Sequence, residues 1–217
     1  MPAPEERVRF SVGQLLLEGR WLAPATASGP AAVICHPHPS FGGDMDNNVV
    51  MAVAGALAAA GFGTLRFNFR GVGASQGSYD NMKGEVLDVK AAVALVRSRP
   101  EVSAAKLALV GYSFGGLMAL YAAAETPDLA GLALLSPMVP SRGFAQDPRL
   151  KPLRDSALPA FACAGTRDAF CPPQALEDLN QVLACRTRVF PDADHFWWGQ
   201  ENEPAGAIAE FLTQGGP

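Results

Sequence analysis

Five residues, Gly111-Tyr112-Ser113-Phe114-Gly115, match the spacing G-x-S-x-G that nucleophilic acyl transfer uses. They follow the apolar run Leu107–Val110 directly and open an Ala-rich helical stretch, Phe114–Glu125. That strand–turn–helix setting carries more weight than the string itself. A serine on so sharp a turn takes a strained backbone. Positions two before and two after it collide with neighbouring elements unless they lack a side chain. The helix start also aims free N–H groups at the point where an oxyanion would form. The plain alternative makes Gly111, Gly115 and Gly116 close-packing glycines only.

A serine hydroxyl is a weak nucleophile, so Ser113 needs a base. Of the three histidines, His195 lies in Asp192-Ala-Asp-His-Phe-Trp-Trp, after the last strand candidate and before the last helix candidate. Taken alone, such a histidine reads as a surface residue; paired with Ser113 it reads as the base. The base in turn needs an orienting carboxylate. Asp168, in Ala164-Gly-Thr-Arg-Asp, stands just past another strand candidate and is preferred. Asp194 is second; it and Asp192 share the histidine's own loop, where they shape the turn. Asp147 and Asp155 fall in an irregular stretch.

Acyl transfer also needs two N–H donors for the tetrahedral oxyanion. The first is the amide of Phe114. The second belongs to the loop His36-Pro-His-Pro-Ser-Phe-Gly-Gly43. Pro37 and Pro39 have no N–H, which leaves His38, Ser40 and Phe41. Position past the strand end favours His38, acting through its backbone, with Phe41 retained as a candidate. A metal held by His36 and His38 is the competing view, but two histidines at i, i+2 make a poor ligand set. Tyr112 and Trp197 are candidates for substrate binding; the Trp197-Trp198 pair beside His195 reads either as core or as the wall of an apolar acyl pocket.

The elements that must position these residues alternate along the chain. Strand candidates are Arg7–Val12, Gln14–Leu22, Ala31–Cys35, Thr64–Phe69, Lys106–Val110, Gly131–Leu135, Ala160–Ala164 and Arg186–Phe190. Several are unbroken Val/Leu/Ala runs, as in parallel strands buried on both faces. Helical patterns cover Asn47–Ala60, Met82–Arg99, Phe114–Glu125, Gln174–Leu183 and Ala205–Leu212. An N-terminal hairpin followed by strand–helix units predicts an α/β fold. Its doubly wound, mostly parallel sheet has about eight strands, and its site lies at the strands' carboxyl ends. No repeat or linker interrupts the pattern, so 1–217 reads as one domain.

The chain has 217 residues, 49% hydrophobic and 18% charged, with a net charge of −4. These values exclude general disorder and disfavour nucleic acid as a partner. The longest apolar stretch, Val49 to Gly63, is shorter than the ~20 residues a membrane span needs. No basic, apolar leader opens the sequence, so the expectation is a soluble cytoplasmic protein, monomer or homodimer. The four cysteines (Cys35, Cys163, Cys171, Cys185) include no CxxC pair and are expected as free thiols. The loop Gly71-Val-Gly-Ala-Ser-Gln-Gly77 imitates a dinucleotide fingerprint, but its third glycine and the following helix come too late. No cofactor is implied.

These motifs together resemble the α/β-hydrolase superfamily. The likeness is to small lidless hydrolases with His-Pro-His-Pro-x-x-Gly-Gly (36–43), R-G-x-G-x-S-x-G (70–77), G-Y-S-F-G (111–115), G-x-x-D (165–168) and D-H-F (194–196). The chain is also distantly similar to dienelactone hydrolase, which carries cysteine where this chain has Ser113. The resemblance implies a triad of Ser113, His195 and Asp168. It also implies an oxyanion hole from Phe114 and the 36–43 loop. Between Ser136 and Leu158 there is too little chain for a full lid, so an open site and small esters are expected. Arg142, Arg149, Lys151 and Arg154 make this stretch basic, read first as a solvated surface and second as an attraction for anions. The expected activity is cleavage of small carboxylic esters. Thioester or amide cleavage by the same groups, and a non-catalytic binding protein of the same fold, are the alternatives.

Overall fold

A computed structural model describes residues 5–140 and 143–214. Eight strands form a single sheet: β1 (Glu6–Val12), β2 (Leu15–Leu22), β3 (Gly29–Cys35), β4 (Gly63–Phe67), β5 (Val102–Tyr112), β6 (Gly131–Leu135), β7 (Ala160–Gly165) and β8 (Arg186–Phe190). Their order is β1-β2-β4-β3-β5-β6-β7-β8. The first hairpin is antiparallel and β2 meets β4 antiparallel. From β4 to β8 every neighbour is parallel. The order turns back at β3, so the carboxyl ends of β3 and β5 sit side by side.

Six helices cover the sheet: α1 (Asn48–Ala59), α2 (Lys83–Arg97), α3 (Phe114–Ala124), α4 (Lys151–Arg154), α5 (Pro173–Asn180) and α6 (Asn202–Thr213). The period-two alternation of a strand sorts side chains between its faces. On one face Ala31, Val33, Leu107 and Leu109 pack beneath α2 and α3. On the other, Ala32, Ile34, Ala108 and Val110 pack beneath α1 and α6. That two-sided burial explains why the central strands carry unbroken apolar runs.

Caps set the helix boundaries. Asn47 accepts the Val49 amide and starts α1, which stops before Gly61 at φ 87°. Pro173 opens α5, where its missing N–H costs nothing. All four cysteines are free thiols, and Cys35, Cys163 and Cys171 are buried. Among the described residues no helix is long and apolar enough to cross a membrane.

The segment between β6 and β7 lies along α3. Phe144, Leu150 and Leu153 join the α3 side of the core. Tyr121 donates to Asp147, and the Arg149 guanidinium stacks on the Tyr121 ring at 4.0 Å. Tyr121 is eight residues into the helix from Ser113, about 12 Å along its axis at 1.5 Å per residue. Residues 143–158 therefore flank α3 around Tyr121. Its basic side chains are spent locally: Arg149 on Asp147, Lys151 on Asp155, and Arg154 on the carbonyls of Ala145 and Asp147. Arg142 lies outside the described residues. A solvated, self-paired surface accounts for the rest of this basic stretch.

Candidate active site

The turn from β5 to α3 holds Ser113 at φ 55° and ψ −119°, a backbone that non-glycine residues rarely adopt. The strain is held by hydrogen bonds on both sides. Its amide donates to the Leu135 carbonyl at 2.9 Å, and its carbonyl accepts from Met138 at 3.0 Å. Two flanking glycines are demanded by close approach. A Cβ on Gly111 would lie 2.3 Å from the Gly115 carbonyl oxygen. One on Gly115 would lie 2.3 Å from that of Cys35. Both distances are far inside contact, as the steric argument from the sequence requires.

Ser113 Oγ lies 2.9 Å from Nε2 of His195. The other ring nitrogen of His195 lies 2.9 Å and 3.0 Å from the two carboxylate oxygens of Asp168. The chain segments after β5, β7 and β8 thus bring one hydroxyl, one imidazole and one carboxylate into a continuous hydrogen-bonded series. Asp168 Oδ1 also accepts from the amides of Phe170 and Cys171. Burial pulls the Asp168 carboxyl upward. The His195 hydrogen bond, the Ser136 hydroxyl and the Cys171 amide outweigh burial and hold it below its ordinary value. This series can draw a proton from Ser113 toward Nε2 while a carboxylate fixes the Nδ1–H tautomer.

The other carboxylates have different duties. Asp194 caps its own loop, accepting from the amides of Phe196 and Trp197. Asp192 pairs with Arg167 at the surface. Ser136, which the sequence reading passed over, is buried at the end of β6. It accepts from the Trp197 indole N–H at 3.0 Å, and its hydroxyl helps to hold the Asp168 carboxyl down. A strand-end serine has no sequence signature that separates it from an ordinary turn residue.

In the 38–43 loop, a short 3₁₀ turn at Pro39–Phe41 decides which amides are free. Ser40 donates to His38 Nδ1 at 3.1 Å; Phe41 and Gly43 both donate to the His38 carbonyl; Gly42 donates to the Pro39 carbonyl. Phe41 is therefore corrected as an oxyanion candidate, since its amide is already engaged. Among the described residues the His38 amide has no partner. The His38 ring lies 4.7 Å from that of Phe114. Phe114 is the first residue of α3, so its own amide has no intrahelical acceptor.

Tyr112 and Trp197 are corrected as well. Tyr112 is the last residue of β5, and alternation turns it to the α1/α6 face, where it is buried. Its hydroxyl donates to the His195 carbonyl at 2.7 Å, which anchors the His195 backbone from below. Trp197 is fully buried, edge-on to Phe190. Neither side chain forms a wall open to solvent.

His36 is a buried structural residue. Its Nδ1 donates to the Pro37 carbonyl at 2.7 Å, and its Nε2 accepts the Phe69 amide at 3.1 Å. Both ring nitrogens are used, so neither is free to ligate a metal. The loop that imitates a dinucleotide fingerprint is fastened elsewhere. Arg70 forks onto Asp88, and the Glu18 carboxylate accepts from the Ala74 amide inside the loop and from Asn68 just before it. An acceptor-only group fills the place where a phosphate would need donors.

A family model described as an alpha/beta hydrolase domain matches residues 30–207. An alpha-beta serine hydrolase homologue from Coxiella burnetii is 32% identical, superposes with a TM-score of 0.82, and aligns over 99% of this chain and 98% of its own. A serine hydrolase without lid from Xanthomonas campestris is 28% identical, with a TM-score of 0.79 over 99% and 94% of the two chains. An uncharacterized protein of Rickettsia prowazekii is 31% identical across 95% of this chain and 88% of that protein. The fold, the strained serine turn and these likenesses agree: the chain belongs to the alpha/beta hydrolase domain family.

Proposed function

We propose that this hydrolase-family chain cleaves small carboxylic esters through an acyl-enzyme, using Ser113, His195 and Asp168. The observation that carries the reading is the unbroken series from Ser113 Oγ through His195 to Asp168, at 2.9 Å for each link. Ser113 attacks the ester carbonyl while His195 Nε2 takes its proton. The carbonyl oxygen, now negative, is held by the amides of Phe114 and His38, and the tetrahedral adduct collapses to acyl-Ser113. His195 returns the proton to the departing alcohol oxygen. Water then repeats the sequence on the acyl group, with His195 as base again, and releases the acid.

A serine hydrolase without lid among the similar structures supports small substrates. Leaving-group preference is open to direct test on the full chain with p-nitrophenyl acetate, acetyl-CoA and an aminoacyl amide. The ester is expected to react at least about 10²-fold faster than the amide in kcat/KM. Faster amide cleavage would reassign the chain to peptides, and a preference for acetyl-CoA would reassign it to thioesters.

A further inference from the structure

Two large aromatic side chains stand in the open beside the base. Phe170 is 66% exposed and Phe196 is 51% exposed. Neither joins either core cluster, so the fold gains little from them. The backbone at both positions is nevertheless pinned. The Phe170 amide donates to Asp168 Oδ1, and the Phe196 amide donates to Asp194 Oδ1. The Phe170 ring lies 4.8 Å from the His195 ring; the Phe196 ring lies 5.8 Å from it, at 87°. The two phenyl rings meet at 6.2 Å and 78°, making an apolar corner over the imidazole. Exposed apolar surface at a site of chemistry marks where a ligand is covered.

The reaction's geometry says which part of the ligand that is. The carbonyl oxygen must face the amides of His38 and Phe114, whereas the aromatic corner is built on the His195 ring. The leaving oxygen must lie within reach of His195 Nε2, because that nitrogen returns the proton to it. Whatever is bonded to the leaving oxygen therefore runs across the His195 side.

Resting on the ester-cleavage reading above, we infer that Phe170 and Phe196 bind the alcohol portion of the substrate, and that the chain favours esters of aromatic alcohols. During acylation the Ser113 oxygen bonds to the carbonyl carbon and the carbon–alkoxy oxygen bond breaks. The serine proton passes through His195 to the alkoxy oxygen, and a neutral alcohol leaves the corner. The acyl-enzyme then holds no alcohol, so the corner takes no part in deacylation.

The test compares benzyl acetate with ethyl acetate, and benzyl hexanoate with benzyl acetate, on the wild-type chain and on Phe170→Ala and Phe170→Leu. Covering part of one phenyl ring is worth about tenfold. In Phe170→Ala, kcat/KM for benzyl acetate falls about tenfold, ethyl acetate changes less than about twofold, and deacylation of the shared acetyl-enzyme is unchanged. Phe170→Leu, which keeps apolar area, recovers most of the loss. Equal losses for both alcohols, or no loss for benzyl acetate, would overturn the assignment. So would a loss that follows the acyl chain from acetate to hexanoate, which places Phe170 on the other side of the ester. A wild-type chain inactive on every ester overturns the ester-cleavage reading, and this inference with it.

Discussion

Asp168→Asn lowers kcat/KM for a simple ester by about 10⁴-fold while leaving the fold intact. The size of the loss follows from tautomer control. Asp168 Oδ1 accepts from the Phe170 and Cys171 amides as well as facing His195. An asparagine keeps its carbonyl oxygen on those two amides and so turns its NH₂ toward His195 Nδ1. That nitrogen must then accept, which moves the ring proton to Nε2. A protonated Nε2 cannot take the proton of Ser113. Asp194→Asn provides the contrast. Its side-chain oxygen can still accept from Phe196 and Trp197, so activity stays within about threefold. Steady-state rates on p-nitrophenyl acetate, with circular dichroism as the check on folding, decide the matter. A silent Asp168→Asn beside an inactive Asp194→Asn would move the orienting role to Asp194.

The second large effect is on stability, and it comes from His36. Burial pushes this imidazole down to about 4, against the lift from its bond to the Pro37 carbonyl. The neutral ring fits because Nδ1 donates and Nε2 accepts; a proton added at Nε2 would face the Phe69 N–H. The unfolded chain takes up that proton near pH 6.5, whereas the folded chain refuses it until about pH 4. Between those values the unfolded state binds more protons, so stability falls as pH falls. The drop across the window is about 3 kcal/mol, and it levels off below pH 4. Urea unfolding at pH 7.5 and pH 4.5 measures it. His36→Gln, less stable at pH 7.5, loses most of that pH-dependent difference. A variant as acid-sensitive as the wild type would remove His36 as the cause.

His36 also bears on the site, because it ties the end of β3 to the residues after β4 and so sets where the 38–43 loop begins. A buried, non-reacting histidine thus governs the placement of the His38 amide.

Much of this arrangement was legible from residue types. Gly111 and Gly115 could be read because the contact that excludes a Cβ is local to the turn. The order Ser113, Asp168, His195 could be read because each residue follows an apolar strand run. Prolines could be struck from the oxyanion loop because they lack an N–H. What remained hidden depends on three-dimensional bookkeeping. The 3₁₀ turn consumes the Phe41 amide, and no residue type announces that. Adjacency misled at Tyr112, since neighbours along a strand face opposite sides of the sheet. At Trp197 the chain bends through φ 58° and carries the indole into the core. Phe170 and Phe196 were passed over for the converse reason: a loop sequence does not say which aromatic rings stay in solvent.

Every step proposed above needs Ser113 to be activated by a base. The most direct test is labelling of the folded, purified chain with a fluorophosphonate, with the modified residue located by mass spectrometry and heat-denatured protein as the blank. Stoichiometric labelling of Ser113 that disappears in His195→Ala is the predicted result. Folded protein that takes up no label, or that carries it on another serine, would contradict the account and favour a binding protein built on the same fold.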